Sequence, residues 1–486
     1  MTTEQQLPEG WKKTTFEDVA QVVSGGTPST KLETNFAEKG KGIGWITPAD
    51  LSKYTDKFIS NGARDLSIDG YKSCSAKLLP AGTVLLSSRA PIGYVAIAQS
   101  ELSTNQGFKN FILSDDILSE YAYYYLKSIK STIESLGSGT TFLELSASNA
   151  KKIPIIYPTS KETQQAIVNK IESLFDEIDE GIGRLKTAAQ QIQQYRQSLL
   201  KNAFNGELTK EWRSKHADTL PSENELLAQI KMTREQHHAQ QLADWQTAVS
   251  QWEQNGKEGK KPSKPKKLKE FNQLEGSFSN LPKGWCWVEL SGISSVIRIG
   301  PFGSLLHKAD YINNQIPLIN PSHIKNGKII PDFQLTVSKE KLNELNNYIM
   351  RENDIVIGRR GEMGRCAVVT SNENGWLCGT GSMFVRPLNS VSSKFYAYII
   401  SSERVKDYLS NSSIGTTMQN LNEKILQTVP VPLCSTQEQL EILRILDVNL
   451  TACDQLAAEL SKQLKQAELL KQAVLKAAFS GSLLDK

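Results

Sequence analysis

The chain has 486 residues, of which 39% are hydrophobic and 22% charged, enough for two or three globular domains. A net charge of +4 is too weak to argue for a nucleic-acid partner by itself, so local clusters must carry that case. The six cysteines are scattered with no CxxC, and no apolar run reaches the roughly 18 residues of a membrane span; a reduced, cytoplasmic, zinc-free and membrane-free protein is expected. The polar start MTTEQQLPEGW, which lacks a signal-peptide core, fits that expectation.

The first 150 or so residues read as a mixed, strand-rich globule. Short β-branched runs lie at 84–88 and 95–98, and a helical pattern covers 118–129. Residues 162–208 then form one long helix. Apolar residues fall at Ile167, Ile171, Leu174, Ile178, Ile182, Leu185, Ala189, Ile192, Tyr195, Leu199 and Ala203, in steps of three and four. That is the narrow seam of a helix packed on one partner helix, a rod of roughly 60 Å. Asn205-Gly206 supplies a left-handed cap. Gly181 and Gly183 weaken the middle by about 1 kcal/mol each relative to Ala.

A second helix is expected within 223–254, where Leu242, Trp245, Val249 and Trp252 repeat at helical spacing. The segment 255–270 that follows holds seven lysines, two prolines and two glycines. It reads as a flexible, solvated connector, with phosphate contact as the alternative. Another strand-rich globule follows, with β runs at 355–357 and 367–369 and a helical pattern at 394–409. The chain closes on a second long helix.

The two halves are copies. QSLLKNAFNGEL at 197–208 returns as QAVLKAAFSGSL at 472–483, 275 residues later, and Gln439 stands for Gln164. LPEGW at 7–11 returns as LPKGW at 281–285, WITPADL at 45–51 as LINPSHI at 318–324, residues 82–98 as 353–369, and GTTFLEL at 139–145 as GTTMQNL at 415–421. The offset stays between 271 and 276, so the order is preserved with small loop insertions. The simplest way to cover both helical seams is to pair the two helices within the chain. The seam leaves parallel and antiparallel pairing open.

Two globules on a rigid helical frame make a reader with two heads, as a pseudo-twofold protein meets two half-sites of a duplex. The frame segments are alike, whereas the loops differ: SGGTPSTK at 24–31 stands opposite GPFGSLLHK at 300–308, and SSRAPIG at 87–93 opposite GRRGEMG at 358–364. Unlike loops on like supports predict two different targets.

On LPEGW and LPKGW, SGGTPS, SSRAPIG, the GTT-x3-L strings and the paired helix endings, the chain resembles the specificity subunits of type I restriction–modification systems over essentially its whole length. The resemblance implies an α+β fold in which two similar mixed α/β target-recognition domains are separated by an antiparallel pair of long coiled-coil helices. It places recognition domains at 1–158 and 281–434, long helices at 159–212 and 435–486, and a helical insertion with a Lys/Pro-rich linker at 213–280, the last departing from the simplest family pattern. It further implies a non-catalytic subunit for phage defence that reads an asymmetric bipartite site in double-stranded DNA. Two modification subunits would methylate adenine with S-adenosylmethionine, and restriction subunits would use ATP and Mg to translocate and cut. The chain itself would need no cofactor. A reading from another class is a coiled-coil scaffold whose globules bind proteins.

The residues agree that chemistry lies elsewhere. The nearest approach to an adenine-methyltransferase loop is Asn320-Pro321-Ser322-His323, which lacks the second Pro and the aromatic and reads as a turn. No GxxxxGK[ST] occurs, and the five histidines form no HExxH, so no metal site is expected. For DNA contact the long donors of the variable loops are the candidates: Arg359, Arg360 and Arg365, the aligned Arg89, then Lys109, Lys31 and Lys308. Their alternative role is as ion-pair partners at strand ends. Phe204 and Phe479, at the helix ends, are candidate anchors for modification subunits, or else pack on their own globules.

Overall fold

The computed structural model describes residues 7–89, 91–139, 143–259, 261–271, 273–274, 280–412 and 421–484. The Thr140–Thr141 pair of the first GTT string, most of the second string and Ala90 therefore lie outside the described residues. The chain divides into two compact units, Met1–Ala189 with Ala458–Lys486, and Gln190–Ala457.

The first unit begins with β1 (Trp11–Thr15), β2 (Ala20–Ser24), β3 (Ile43–Ile46), β4 (Phe58–Ile59), β5 (Val84–Ser87), β6 (Val95–Ala98), β7 (Ser103–Thr104), β8 (Phe108–Leu113), α1 (Ser119–Ser128) and β9 (Pro154–Pro158). Its main sheet runs β2-β8-β5-β6-β4, antiparallel except for the β4–β6 edge. β3 pairs parallel with β7, and β1 antiparallel with β9. From β9 the chain enters α2 (Lys161–Phe204).

The second unit takes the end of α2, then α3 (Lys210–Lys215) and α4 (Glu223–Gln254). Its globule holds β10 (Cys286–Glu289), β11 (Ser294–Ile299), β12 (Ile316–Ile319), β13 (Ile355–Gly358), β14 (Cys366–Val368), β15 (Leu377–Cys378), β16 (Ser382–Pro387), α5 (Ser393–Ile400) and β17 (Pro430–Leu433). The sheet order β11-β16-β13-β14, the parallel pair β12–β15 and the antiparallel pair β10–β17 repeat the first unit except at the sheet edge, where the first unit's fifth strand β4 has no counterpart among the described residues. α6 (Thr436–Phe479) closes the chain and, like α2, is 44 residues long.

Each core takes in the start of one long helix and the end of the other. In the first unit Ile167, Val168 and Ile171 of α2 share a cluster with Phe111, Tyr121 and Ile155 and with Val474, Leu475 and Ala478 of α6. In the second, Ile442, Leu446 and Leu450 of α6 join Ile355, Phe395 and Val431 and the Leu199 and Ala203 of α2. Within each unit the two helices run antiparallel. Asp179 pairs with Lys471 in the first unit, and Tyr195 meets Asn449 and Arg196 pairs with Asp454 in the second. The seam expected from the sequence is buried or half-buried along α2, except at Tyr195, which is 50% exposed.

The repeated motifs are the joints of this arrangement. Gln164 and Gln439 are both fully buried. Gln164 accepts from the Leu118 amide (2.9 Å) and donates to Asp116 and Pro158 carbonyls. Gln439 accepts from the Ser392 amide (2.9 Å) and donates to Cys434. Each glutamine thus ties a long helix to the start of α1 or α5. At the other ends, Gly206 (φ +79°) and Gly481 (φ +85°) adopt the left-handed conformation after their helices. A Cβ there would come within 2.3 Å of Pro282 and of Pro8 respectively, so each LP-x-GW string seats a helix end. The second unit adds a polar lock: buried Glu438 accepts from Thr209 (2.7 Å), Arg213 (2.8 Å) and Trp285 (2.8 Å).

The expected insertion helix is α4, started by a Ser222–Glu225 capping box. Residues 255–271 depart from the expected loose connector. The chain reverses at Asn255-Gly256-Lys257, with Gly256 and Lys257 at positive φ, and returns along α4 as a strap. Trp252 and Trp245 donate their indole N–H to the Gly259 and Pro262 carbonyls (3.3 and 3.1 Å), and Arg234 donates to Lys269 (2.9 Å). The tryptophans read as helix seam residues are the reason: their apolar bodies and single donors give the strap a track.

Candidate nucleic-acid interface

The two sheets end alike. In the first unit the ends of β2 and β5 meet the starts of β8 and β6, with Ser24 opposite Lys109, Ser87 opposite Phe108 and Leu86 opposite Val95. In the second, Ile299 faces Met383, Gly358 faces Ser382 and Ile357 faces Cys366. The loops leaving these ends are the ones that differ in sequence.

Their backbones are built the same way. The strand β2 runs into Gly25, where a Cβ would lie 2.0 Å from the Asn105 carbonyl; β11 runs into Gly300, where it would lie 1.9 Å from that of Gly379. Only glycine allows so close an approach. The Ser88 amide donates to Gly107 (2.7 Å) and its carbonyl accepts from Leu145 (2.9 Å). Arg359 repeats both bonds with Gly381 (2.9 Å) and Leu421 (3.1 Å). Ser88 and Arg359 are therefore equivalent, as are Arg89 and Arg360 one residue on.

In the second unit Arg359 donates from Nε to the Leu421 carbonyl (2.9 Å) and from Nη1 to that of Thr380 (3.4 Å). Partial burial, then the charge of adjacent Arg360, pushes its guanidinium below the ordinary arginine value. Among the described residues neither Arg359 nor Arg360 forms an ion pair, and Arg360 is exposed. Carbonyl partners fix a guanidinium without cancelling its charge, and Glu423, the nearby carboxylate, accepts from the Ile299 amide, so this end of the sheet presents two arginines with no carboxylate in ion-pair contact among the described residues, suited to a phosphate or a guanine edge. Arg365 is otherwise engaged, donating to the Pro321 carbonyl (3.2 Å) and pairing with Glu362 (3.2 Å). Lys308 is exposed. Phe302, which sequence reasoning missed, is 61% exposed in the same loop, two residues beyond Gly300.

In the first unit the charges are compensated. Arg89 and Lys109 each lie 4.0 Å from a carboxylate oxygen of Glu144. Lys109 is not at the surface, as a direct DNA contact requires, but buried, with 6% of its area exposed. Strand alternation turns it, with Phe111, toward the main core. Burial lowers its ammonium pKa, with Glu144 opposing and Arg89 adding to the shift. Here the alternative role of ion-pair partner describes Lys109. Lys31 is exposed. The loop opposite the Phe302 position is polar, with Thr27 hydrogen-bonded to Gln106.

The aromatic helix ends are used within their own units. Phe479 is edge-on to Tyr121 and Tyr125 (5.3 and 5.1 Å between centroids), and Phe204 is edge-on to Phe395 (5.8 Å). Both rings are half-buried against the cores, because the helix ends reach the globules there.

No cluster of three or more His, Cys, Asp or Glu side chains among the described residues could hold a metal ion, and no helix there is long and apolar enough to cross a membrane.

The family model for the type I restriction modification DNA specificity domain matches residues 8–186 and 282–466. The type I restriction enzyme MjaIX specificity subunit of Methanocaldococcus jannaschii is 39% identical over 201 residues, which span 41% of this chain and 45% of that protein. The EcoDI specificity subunit of Escherichia coli is 23% identical over 76% of this chain and 70% of its own length. Two solved structures share the fold. A chain from a study of complex assembly and conformational transition in the type I R-M system has a TM-score of 0.68 at 16% identity, over 98% of this chain and 99% of that one. The HsdS subunit from Thermoanaerobacter tengcongensis has a TM-score of 0.54 at 18% identity, over 99% and 100%.

Proposed function

Because the chain belongs to the type I restriction–modification DNA specificity family, we propose that it is the sequence-reading subunit of such a system, with each recognition domain reading one half of an asymmetric bipartite site in duplex DNA. The observation that carries this reading is the pair of sheet ends. The same backbone bonds hold Ser88 and Arg359, whose side chains differ in charge, and the arginines one residue on differ in setting: Arg89 pairs with Glu144, and Arg360 forms no ion pair among the described residues. A frame that is copied and a surface that is not is what two unlike half-sites require.

Arg360 is the proposed base or phosphate contact of the second domain, with Arg359 held beneath it as a fixed charge. Lys308 and Lys31 contact phosphates from the first loops, and Arg89 does so in part, since Glu144 claims some of its charge. Lys109 and Arg365 position these loops. The subunit performs no chemistry, and its place is the cytoplasm. Adenine methylation and ATP-driven cleavage belong to two modification subunits and to restriction subunits. We assign their docking to outward apolar side chains of α6 in the second unit, such as Leu440, Val448 and Leu456, rather than to Phe204 and Phe479.

Co-expression with the cognate modification subunit, followed by mapping of methylated adenines, tests the reading. One asymmetric two-part motif is expected. Methylation at a one-part motif, or none, would overturn it.

A further inference from the structure

The strap on α4 lies outside the loops to which base reading is assigned above, yet it is built with more order than a connector needs. From Gly259 to Phe271 only Pro262, Pro265, Leu268 and Phe271 are half-buried; every other described side chain is exposed. That is a period of three, the period of a polyproline II ribbon, with one edge laid on the helix and two edges facing out. The spacing of its anchors agrees. Trp252 to Trp245 covers about 10 Å of helix, and Gly259 to Pro262 covers about 9 Å of such a ribbon. Where the ribbon passes Trp252 and Trp245, their indoles donate to the Gly259 and Pro262 carbonyls, as aromatic grooves do when they take proline-rich peptides.

The outward edges are almost wholly lysine: Lys261, Lys264 and Lys267 on one, Lys266 and Lys269 with Ser263 on the other. No acidic residue occurs between Gly259 and Lys269. Among the described residues none of these five lysines forms an ion pair. The ammonium groups of Lys261 and Lys264 stand 5.7 and 5.6 Å over the Trp252 and Trp245 rings, which orients them without neutralising them. Beyond His237 the hydrogen bonds and ring contacts of α4 go only to itself and the strap, among the described residues. The acidic side chains of this part of the helix, Asp244 and Glu253, make no ion pair with the ribbon, and Asp244 accepts from Gln240 instead. Helix and strap therefore form a finger of the second unit whose product is a row of lysines with no carboxylate partner among the described residues, of which Lys269 also donates to Gln427 (3.4 Å).

We propose that this ribbon is a second DNA contact, independent of sequence, in which Lys261–Lys269 lie along the phosphates of the duplex. It rests on the DNA-reading function proposed above and extends it from base recognition to backbone affinity. From Lys261 to Lys269 the ribbon is about 25 Å long, roughly seven base-pair steps of a duplex strand. A protein partner fits less well. The outward edges offer no apolar side chain, and lysine is depleted from protein–protein interfaces, whereas a row of compact point charges suits phosphates.

The test uses the full chain assembled with its modification subunits and a duplex carrying the mapped site with flanks on both sides. Kd is measured across a salt series for wild type, for the quadruple variant K261Q/K264Q/K266Q/K267Q, and for the same four positions changed to Arg. The Gln variant is expected to bind more weakly at low salt, with a log–log salt slope shallower by about 0.9 for each phosphate that it no longer neutralises. Its methylated motif should be unchanged, and the Arg variant should keep the wild-type slope. A Gln variant with the wild-type slope overturns the proposal, as does an Arg variant that falls with it. So does a Gln variant that loses subunit assembly but keeps its salt slope, which would assign the ribbon to an acidic protein. If wild type does not distinguish its site from a scrambled duplex, the DNA-reading function fails and the ribbon proposal with it. Discrimination that is intact with an unchanged slope sinks the ribbon alone.

Discussion

The two recognition domains share four main-sheet strands in the same order and then treat charge in opposite ways. In the first, Arg89 and Lys109 converge on Glu144 and the lysine is buried. In the second, Arg359 is held by carbonyls, Arg360 is free in solvent among the described residues, and Met383 occupies the position that corresponds to Lys109. The contrast shows where freedom lies in this fold. Backbone bonds such as Ser88 to Gly107 and Arg359 to Gly381 fix the loop stems, so side chains can be exchanged without loss of the frame. The helix joints show a similar split: the second unit has the Glu438–Arg213–Trp285 lock, and the residue corresponding to Glu438 in the first is Thr163.

That joint gives the largest expected effect. Glu438→Ala leaves Arg213, only 15% exposed, without its carboxylate. Breaking a buried pair in this way should cost about 3–5 kcal/mol, read by chemical denaturation of the full chain, with hydrogen exchange locating the loss in the second unit. Thr163→Ala should stay within about 0.5 kcal/mol. Comparable costs at the two positions would remove the asymmetry. The shared joints should behave alike instead: Gln164→Ala and Gln439→Ala each strip buried hydrogen bonds and should each cost about 1–3 kcal/mol, slightly more for Gln164 with its three bonds. A near-zero cost at one of them would mean that the units do not share this tie.

DNA affinity separates the sheet ends. Arg360→Ala should weaken specific binding of the assembled complex by about 1–3 kcal/mol and relax the motif in one half-site only. Arg89→Ala should have a smaller effect, because Glu144 already competes for that guanidinium. Equal losses would show that the Glu144 pairing is not maintained on DNA.

How much of this was legible in the sequence follows from what repeats. The long helices, their seam and the joints Gln164, Gln439 and LP-x-GW could be found because both halves need the same geometry at the same offset. The antiparallel direction could not, since a seam of three- and four-residue steps looks alike from either end; it had to come from the family resemblance. At the sheet ends, residue type made Arg359 and Arg360 candidates but gave no sign that carbonyls rather than carboxylates hold Arg359. The strap was missed for a different reason. Its lysine content reads as solvated chain, and the informative signal, apolar residues at every third position from Pro262 to Phe271, belongs to neither the helix nor the strand period.

Lys109 gives the smallest effect and the sharpest comparison. Alternation along β8 marks it as core-facing, since Phe111 two residues on is fully buried, yet a lysine in a strand is ordinarily taken for a surface residue. Lys109→Met installs the side chain that the second domain already uses. It removes an ammonium whose burial opposes its charge, while Glu144 keeps Arg89. Stability at neutral pH should rise by about 1 kcal/mol, less than for a whole buried pair replaced by apolar groups, because Glu144 remains half exposed. The pH dependence has a definite sign. The folded-state pKa of Lys109 lies below the ordinary value of 10.5, so between the two the unfolded chain binds more protons, and wild-type stability rises with pH through that window. The variant lacks this gain, so its advantage should shrink as pH approaches the ordinary lysine value. If Lys109 also reached DNA, the variant would gain stability and lose affinity together. Unchanged affinity with raised stability would leave the lysine a cost that the first domain bears to hold Glu144, and through it Arg89, in place.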